Sequence, residues 1–421
     1  LNCLRHQGSG AVVTKLYKVT TECDAYMMDA LQITTSIAVL LFIGLICSWI
    51  GRQIRLPDIL LLLTVGIIFG HLQYKGLPLV DFPPAFLSSL AILALAMIVF
   101  DGTARLRLRE LDTFSLKAVK LITIFTLFIM IFFALAAHYL LKLDFWTSLL
   151  FAAIMTGTGP EAVFAFTQKL RVFTILKLES IFNTPLTVIL PFLILDLSKN
   201  AATGAVTNFA EQLVPFVMAL IVGIGSGVFV GIILFKIIQK VYADIYSPLA
   251  VIVAALLSYV LAENLGGSGV LAVTALGVFF GNVYVKEKMT LLDIESVFAK
   301  TLHILVFILA GIVIKLPLTA DFFIKSGLLF AAYLAIRFIC VYLSFKDFSK
   351  GELAILTLCA PKGIATTAVV FILAVSGAPE IVVDMTFAFI IYSITLAAIA
   401  SFVVTKHLNH ENHFARHKLP R

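Results

Sequence analysis

Three short stretches of an otherwise apolar chain carry side chains able to handle ions. The first is Met155-Thr-Gly-Thr-Gly-Pro-Glu-Ala-Val163. Pro160 removes a backbone donor and clashes with the preceding turn, while Gly157 and Gly159 relax the chain around it. Thr156 and Thr158 offer hydroxyl and carbonyl oxygens that suit a small hard cation. Glu161 follows at once. An acid at the centre of a membrane helix costs roughly 2.5 kcal/mol or more, which marks it as functional unless it partners a nearby cation. The second stretch is Leu178-Glu-Ser-Ile-Phe-Asn-Thr-Pro-Leu186. Glu179 and Asn183 stand four apart and share a helix face, with Ser180 and Thr184 on the adjacent one. Four inward polar groups point either to ion handling or to a polar seam between helices. The third is Cys359-Ala-Pro-Lys-Gly-Ile-Ala-Thr-Thr367, which sets Lys362 between two helix breakers. A lysine buried there calls for a carboxylate, with Glu161 and Glu179 the candidates. Thr366 and Thr367 add oxygens.

Other polar residues read as structural or wet. Asp101 and Asp196 lie near span ends, Arg337 snorkels or binds carbonyls, and His303 is a lone histidine on an apolar span. No HExxH, GxSxG, P-loop or paired-cysteine motif is present, so neither an enzyme nor a resident cofactor is expected.

The elements that must position these groups are membrane spans. Of 421 residues 61% are hydrophobic and 13% charged. A soluble domain is about 25% charged, so lipid must cover this surface. Thirteen candidate spans fit: 29–50, 57–71, 86–101, 117–141, 146–168, 171–197, 208–240, 246–263, 267–285, 299–316, 323–346, 353–376 and 382–407. The net charge of +7 reflects basic loops, and no basic run with interleaved aromatics suggests nucleic acid. Alternate loops are basic, as at Arg52 and Arg55, Arg105 to Lys120, Lys169 to Lys177, Lys236 and Lys240, Lys286 and Lys288, and Lys346 and Lys350. This bias puts the N-terminus outside and the C-terminus in the cytoplasm of a multi-pass plasma-membrane protein. Residues 1–28 form a polar extracytoplasmic tail without signal-peptide order, 29–408 the transmembrane domain and 409–421 a basic cytoplasmic tail. Cys47, Cys340 and Cys359 read as small core residues; Cys3 and Cys23 could pair if the tail is extracytoplasmic.

The spans echo one another. Gly66 and Gly70 end span 2 as Gly277 and Gly281 end span 9, and spans 5 and 12 both carry a Gly/Pro break. Corresponding spans lie seven apart, and an odd step reverses orientation. The expected fold is therefore an all-α polytopic protein with an inverted-topology repeat, spans 1–6 against 8–13, and discontinuous crossed helices at the midplane. The glycine pairs themselves read as small-residue packing faces.

Leu56-Pro-Asp-Ile-Leu60 after Arg55, Gly-Thr-Gly-Pro in span 5, Glu179-Ser-Ile-Phe-Asn-Thr-Pro and Ala360-Pro-Lys-Gly resemble the NhaP-like sodium/proton exchangers over roughly residues 29–408. The resemblance implies a homodimer whose core holds crossed helices 5 and 12 with span 6, and whose dimerisation domain involves spans 1–3 and 7–10. It implies an ion pair of Glu179 with Lys362, the position usually held by arginine. The family's two ion-site aspartates fall on Gly159 and Thr184, so both are absent, and Glu161 is the acid left to replace them. The expected function is exchange of a monovalent cation, sodium first, for protons, with Glu161, Thr158, Ser180, Asn183 and Thr184 at the site and Glu161 and Thr158 as metal ligands. The alternatives are a carrier for another ion such as potassium, and a non-transporting sensor or scaffold that has lost the site.

Overall fold

The computed structural model describes residues 9–417 apart from 55–56, 75–76, 79–81, 106–112, 160–170, 203–208, 241–245, 286, 315–316 and 318. It is built of helices α1 (Ser9–Ile54), α2 (Asp58–His71), α3 (Pro84–Ala104), α4 (Thr113–Phe128), α5 (Ala134–Leu141), α6 (Phe145–Ile154), α7 (Arg171–Ala202) and α8 (Phe209–Lys240). These are followed by α9 (Tyr246–Asn264), α10 (Gly269–Asn282), α11 (Lys288–Val313), α12 (Ala320–Ser344), α13 (Lys350–Leu358), α14 (Ile364–Val375) and α15 (Glu380–His417). A two-stranded hairpin, β1 (Gln73–Tyr74) against β2 (Leu77–Pro78), is the sheet among the described residues.

Nine of the described helices are long and apolar enough to cross a membrane, and four shorter apolar ones accompany them. Where their residues are described, the spans read from the sequence coincide with one or two of these elements; residues 160–168 of the fifth lie outside the described ones. Outward side chains such as Phe42, Trp49, Ile221, Phe229 and Tyr342 are exposed and apolar, the pattern lipid requires. Helix ends are capped where the chain turns: the Asp144 carboxylate accepts from Thr147 N at 3.0 Å, and Ser349 and Glu352 form a capping box on α13. Helices α4 and α5 run on through a π-type turn at Ile129–Phe133.

Packing sorts the helices into two groups. Helices α1–α3 and α8–α11 contact one another, and α4–α7 contact α12–α15. Between the groups, α3, α10 and α11 meet α7 and α14. Within the first group, α2 lies on α11 and α10 lies on α3. If span 2 corresponds to span 9 and span 3 to span 10, each of these contacts is the repeat-related copy of the other. Both use the glycines singled out above. A Cβ at Gly66 would strike Ile308 O and the Cα of Gly311, and one at Gly277 would strike Thr103 Oγ1. Backbones that touch in this way gain dispersion that lipid cannot supply.

The close approach is testable. Gly66→Val should destabilise the detergent-solubilised protein by about 1–3 kcal/mol, the range for overpacking. Gly102→Ala, which meets nothing within 4 Å, should leave thermal unfolding unchanged.

Candidate functional site: two broken segments that cross

Helix α6 stops at Ile154, and a turn at Met155 and Thr156 leads into non-helical Gly157, Thr158 and Gly159. Helix α13 stops at Leu358, and Ala360 to Gly363 are non-helical before α14 begins. Glycine and proline in both stretches explain why neither helix continues. The two stretches meet. Gly159 N donates to Pro361 O at 2.8 Å, and Lys362 Nζ donates to Gly157 O at 2.8 Å and to Met155 O. Lys362 N donates to Ser393 Oγ at 2.9 Å, which fixes the lysine from behind. Gly157 is tight for the same reason: a Cβ there would collide with the Thr366 and Thr187 side chains.

Helix α7 lines the crossing. Asn183 Nδ2 donates to Thr156 O at 2.6 Å, closing one carbonyl of the break. Thr158 Oγ1 donates to Glu179 Oε1 at 3.2 Å. Thr184 Oγ1 and Thr187 Oγ1 turn back to the carbonyls of Ser180 and Asn183. Glu179 and Arg337 of α12, both 0% exposed, form a two-point ion pair, with Nη2 to Oε2 at 2.7 Å and Nη1 to Oε1. Arg337 Nη2 also reaches Leu356 O at 3.1 Å, and its guanidinium lies 4.9 Å from the Phe125 ring centre.

The expected Glu179–Lys362 ion pair is therefore corrected. Glu179 is taken by Arg337, and Lys362 is taken by backbone carbonyls. A planar guanidinium matches both carboxylate oxygens, whereas an ammonium is a point donor free to satisfy several carbonyls at once. Lys362 Nζ sits 4.2 Å from the Tyr333 ring centre. Tyr333 belongs with Phe133, Phe151, Phe330 and Phe389 to a cluster of mostly edge-to-face rings 5.2–6.4 Å apart. Arg337, read from sequence as a structural or snorkelling residue, is the partner that was missed. Its signal was its place: deep in an apolar span and too far from either end to reach water.

A cavity of about 180 Å³ opens between the two helix groups. Its wall includes half-buried Asp101 and Thr184, exposed Arg105 and Lys177, and buried Thr158, Gly159, Ser180, Thr187 and Thr366. Among the described residues, Asn183 Oδ1 and Thr366 Oγ1, both buried, have no hydrogen-bond partner. The structure thus gathers Thr158, Ser180, Asn183 and Thr184 in one place and adds Thr187 and Thr366. Asp101, read as wet, is half-buried on the cavity wall and bonded to Arg105 Nε at 2.9 Å. Glu161 lies outside the described residues. Neutral oxygens in a fixed ring can replace the hydration shell of a monovalent cation. Among the described residues no cluster of three or more His, Cys, Asp or Glu could hold a metal.

The description "sodium/hydrogen exchanger, transmembrane" matches residues 37–407. The chain belongs to the sodium/hydrogen exchanger family. Within it the chain is NhaP-like, an integral multi-pass membrane protein. It is 26% identical over 327 residues to the K(+)/H(+) antiporter NhaP2 of Shewanella baltica, covering 75% of this chain and 56% of that one. It is 27% identical over 234 residues to the Na(+)/H(+) antiporter ApNhaP of Aphanothece halophytica, covering 54% and 43%. The chain spans about half the length of the curated relatives it matches. The fold is that of the sodium proton antiporter MjNhaP1 from Methanocaldococcus jannaschii at pH 8, with a TM-score of 0.72 at 21% identity over 89% of this chain and 98% of that one.

Removing Arg337 while keeping Glu179 leaves a buried charge unpaired. Arg337→Met should cost about 3–5 kcal/mol of stability. The double variant Glu179→Leu with Arg337→Met should recover most of it, as read by thermal unfolding in detergent.

Proposed function

We propose that the chain is a secondary transporter exchanging a monovalent cation for protons by alternating access. The crossed breaks beside a cavity of neutral oxygens carry this reading, because such a cavity can strip and hold a cation at the depth where broken helices meet. Thr158, Ser180, Asn183, Thr184, Thr187 and Thr366 supply oxygens. Glu161, two residues past Gly159, supplies the charge that exchanges cation for proton. Glu179 with Arg337, and Lys362 on its carbonyls, hold the scaffold. Sodium remains the first candidate. Potassium is the second, since relatives named for either ion match. The thirteen spans, the extracellular N-terminus, the plasma-membrane site and a homodimer through spans 1–3 and 7–10 belong to the same proposal.

A non-transporting reading has one observation in its favour: among the described residues, the deep part of the cavity offers hydroxyls and no carboxylate. Proteoliposomes separate the two readings. Sodium or potassium should dissipate an imposed proton gradient in the wild type and fail to do so in Glu161→Gln; unchanged exchange by that variant removes Glu161 from the cycle. Thr366→Val, which deletes an unpaired buried hydroxyl, should raise the cation concentration for half-maximal exchange about tenfold, equivalent to roughly 1.4 kcal/mol, with the protein still folded.

A further inference from the structure

A second acid has no part in the site described so far. Glu295, in the first half of α11, is 0% exposed, and neither of its carboxyl oxygens has a hydrogen-bond donor. Helix α3 packs on α11, and Arg105, which bonds Asp101, also reaches the Leu292 carbonyl one turn before Glu295, so the Asp101–Arg105 pair stands against this part of α11. Arg105 is already committed: Nε to Asp101 Oδ1 at 2.9 Å, and Nη2 to Leu292 O at 3.4 Å. Among the described residues, these two are the charged groups acting on Glu295; α1, α2, α9 and α14, which also pack on α11, contribute none.

Two carboxyls this close, one of them sealed from water, require a positive charge between them. One arginine, bonded to Asp101 and the Leu292 carbonyl and not to Glu295, is not enough, so the pair must share a proton or hold a cation. Position adds the second argument. Asp101 is also a wall of the cavity, on its more exposed part with Arg105 and Lys177, so an ion bound by the pair shares that cavity with the buried hydroxyl oxygens.

We propose that Asp101 and Glu295 form a second ion-exchange site at the entrance of the cavity, holding one shared proton that a monovalent cation replaces. The proposal rests on the exchange reading above and adds to it the point where ions of opposite direction meet. No bond to carbon is made or broken: the proton leaves to water as the cation enters, and net charge in the pair is conserved.

The test uses the full chain, purified and reconstituted, with two readouts. Infrared difference spectra should show a protonated-carboxyl stretch in choline chloride that fades on replacement by potassium or sodium chloride; with Glu161→Gln as background, that stretch should be absent from Glu161→Gln with Glu295→Gln. In exchange assays the pH profile of Glu295→Gln and of Asp101→Asn should move by about one unit, as loss of a like-charge neighbour demands, and Glu295→Asp should restore it. A cation-sensitive carboxyl band that persists undiminished in Glu161→Gln with Glu295→Gln overturns the proposal. So does a Glu295→Gln profile that overlays the wild type's, which marks the pair as a fixed helix-to-helix contact. Wild-type exchange is measured first: a chain that exchanges neither ion refutes the functional reading itself, and the infrared arm then decides the pair alone.

Discussion

A helix interrupted inside a membrane exposes amides and carbonyls that lipid cannot satisfy, and each orphan costs several kcal/mol. This chain interrupts two helices and lets each break satisfy the other. Gly159 N meets Pro361 O, Asn183 closes the Thr156 carbonyl, and the Lys362 ammonium caps Met155 and Gly157. The remaining features of the core serve this arrangement. The aromatic cluster gives the ammonium a π face and excludes water behind it, and Ser393 anchors its backbone.

With the lysine occupied in this way, Glu179 needs another cation, and Arg337 supplies it with matched geometry. The consequence is a division of roles among charged groups. Glu179, Arg337 and Lys362 hold helices together, while the buried part of the cavity wall offers hydroxyl oxygens. A cation entering such a cavity brings a charge that an acid must balance, and among the described residues Asp101 is the acid on the cavity wall. Where the family resemblance expects two aspartates, Gly159 and Thr184 occupy the positions, and neither side chain carries a charge.

Much of this was legible in the sequence because it is written in steric exceptions. Gly157, Gly159, Pro361 and Gly363, clustered within a few residues of one another in two spans, favour breaks there, and the repeated glycine pairs mark close backbone contact. Glu179, Asn183 and their neighbours declared a polar face by spacing alone. Pairing was not legible. Glu179 had two basic candidates at similar depth, Lys362 and Arg337, and only the three-dimensional crossing shows that Lys362 is used up by carbonyls. Glu295 was invisible for a different reason: it follows Asp293 and the basic stretch at 286–288, so it reads as part of a wet loop end, yet α11 carries it inward. Thr187 looks like an ordinary helix threonine until α7 and α14 are brought together.

The clasp between the breaks also constrains how such a protein can move. A backbone bond and a doubly held ammonium tie the 155–159 segment to the 360–363 segment, while the seam from α3, α10 and α11 to α7 and α14 is a plain surface between two helix groups. Slippage at the seam breaks no buried polar bond of the clasp; opening the crossing would break several. The two breakpoints therefore travel as one body, like the jaws of a locked vice carried on a slide.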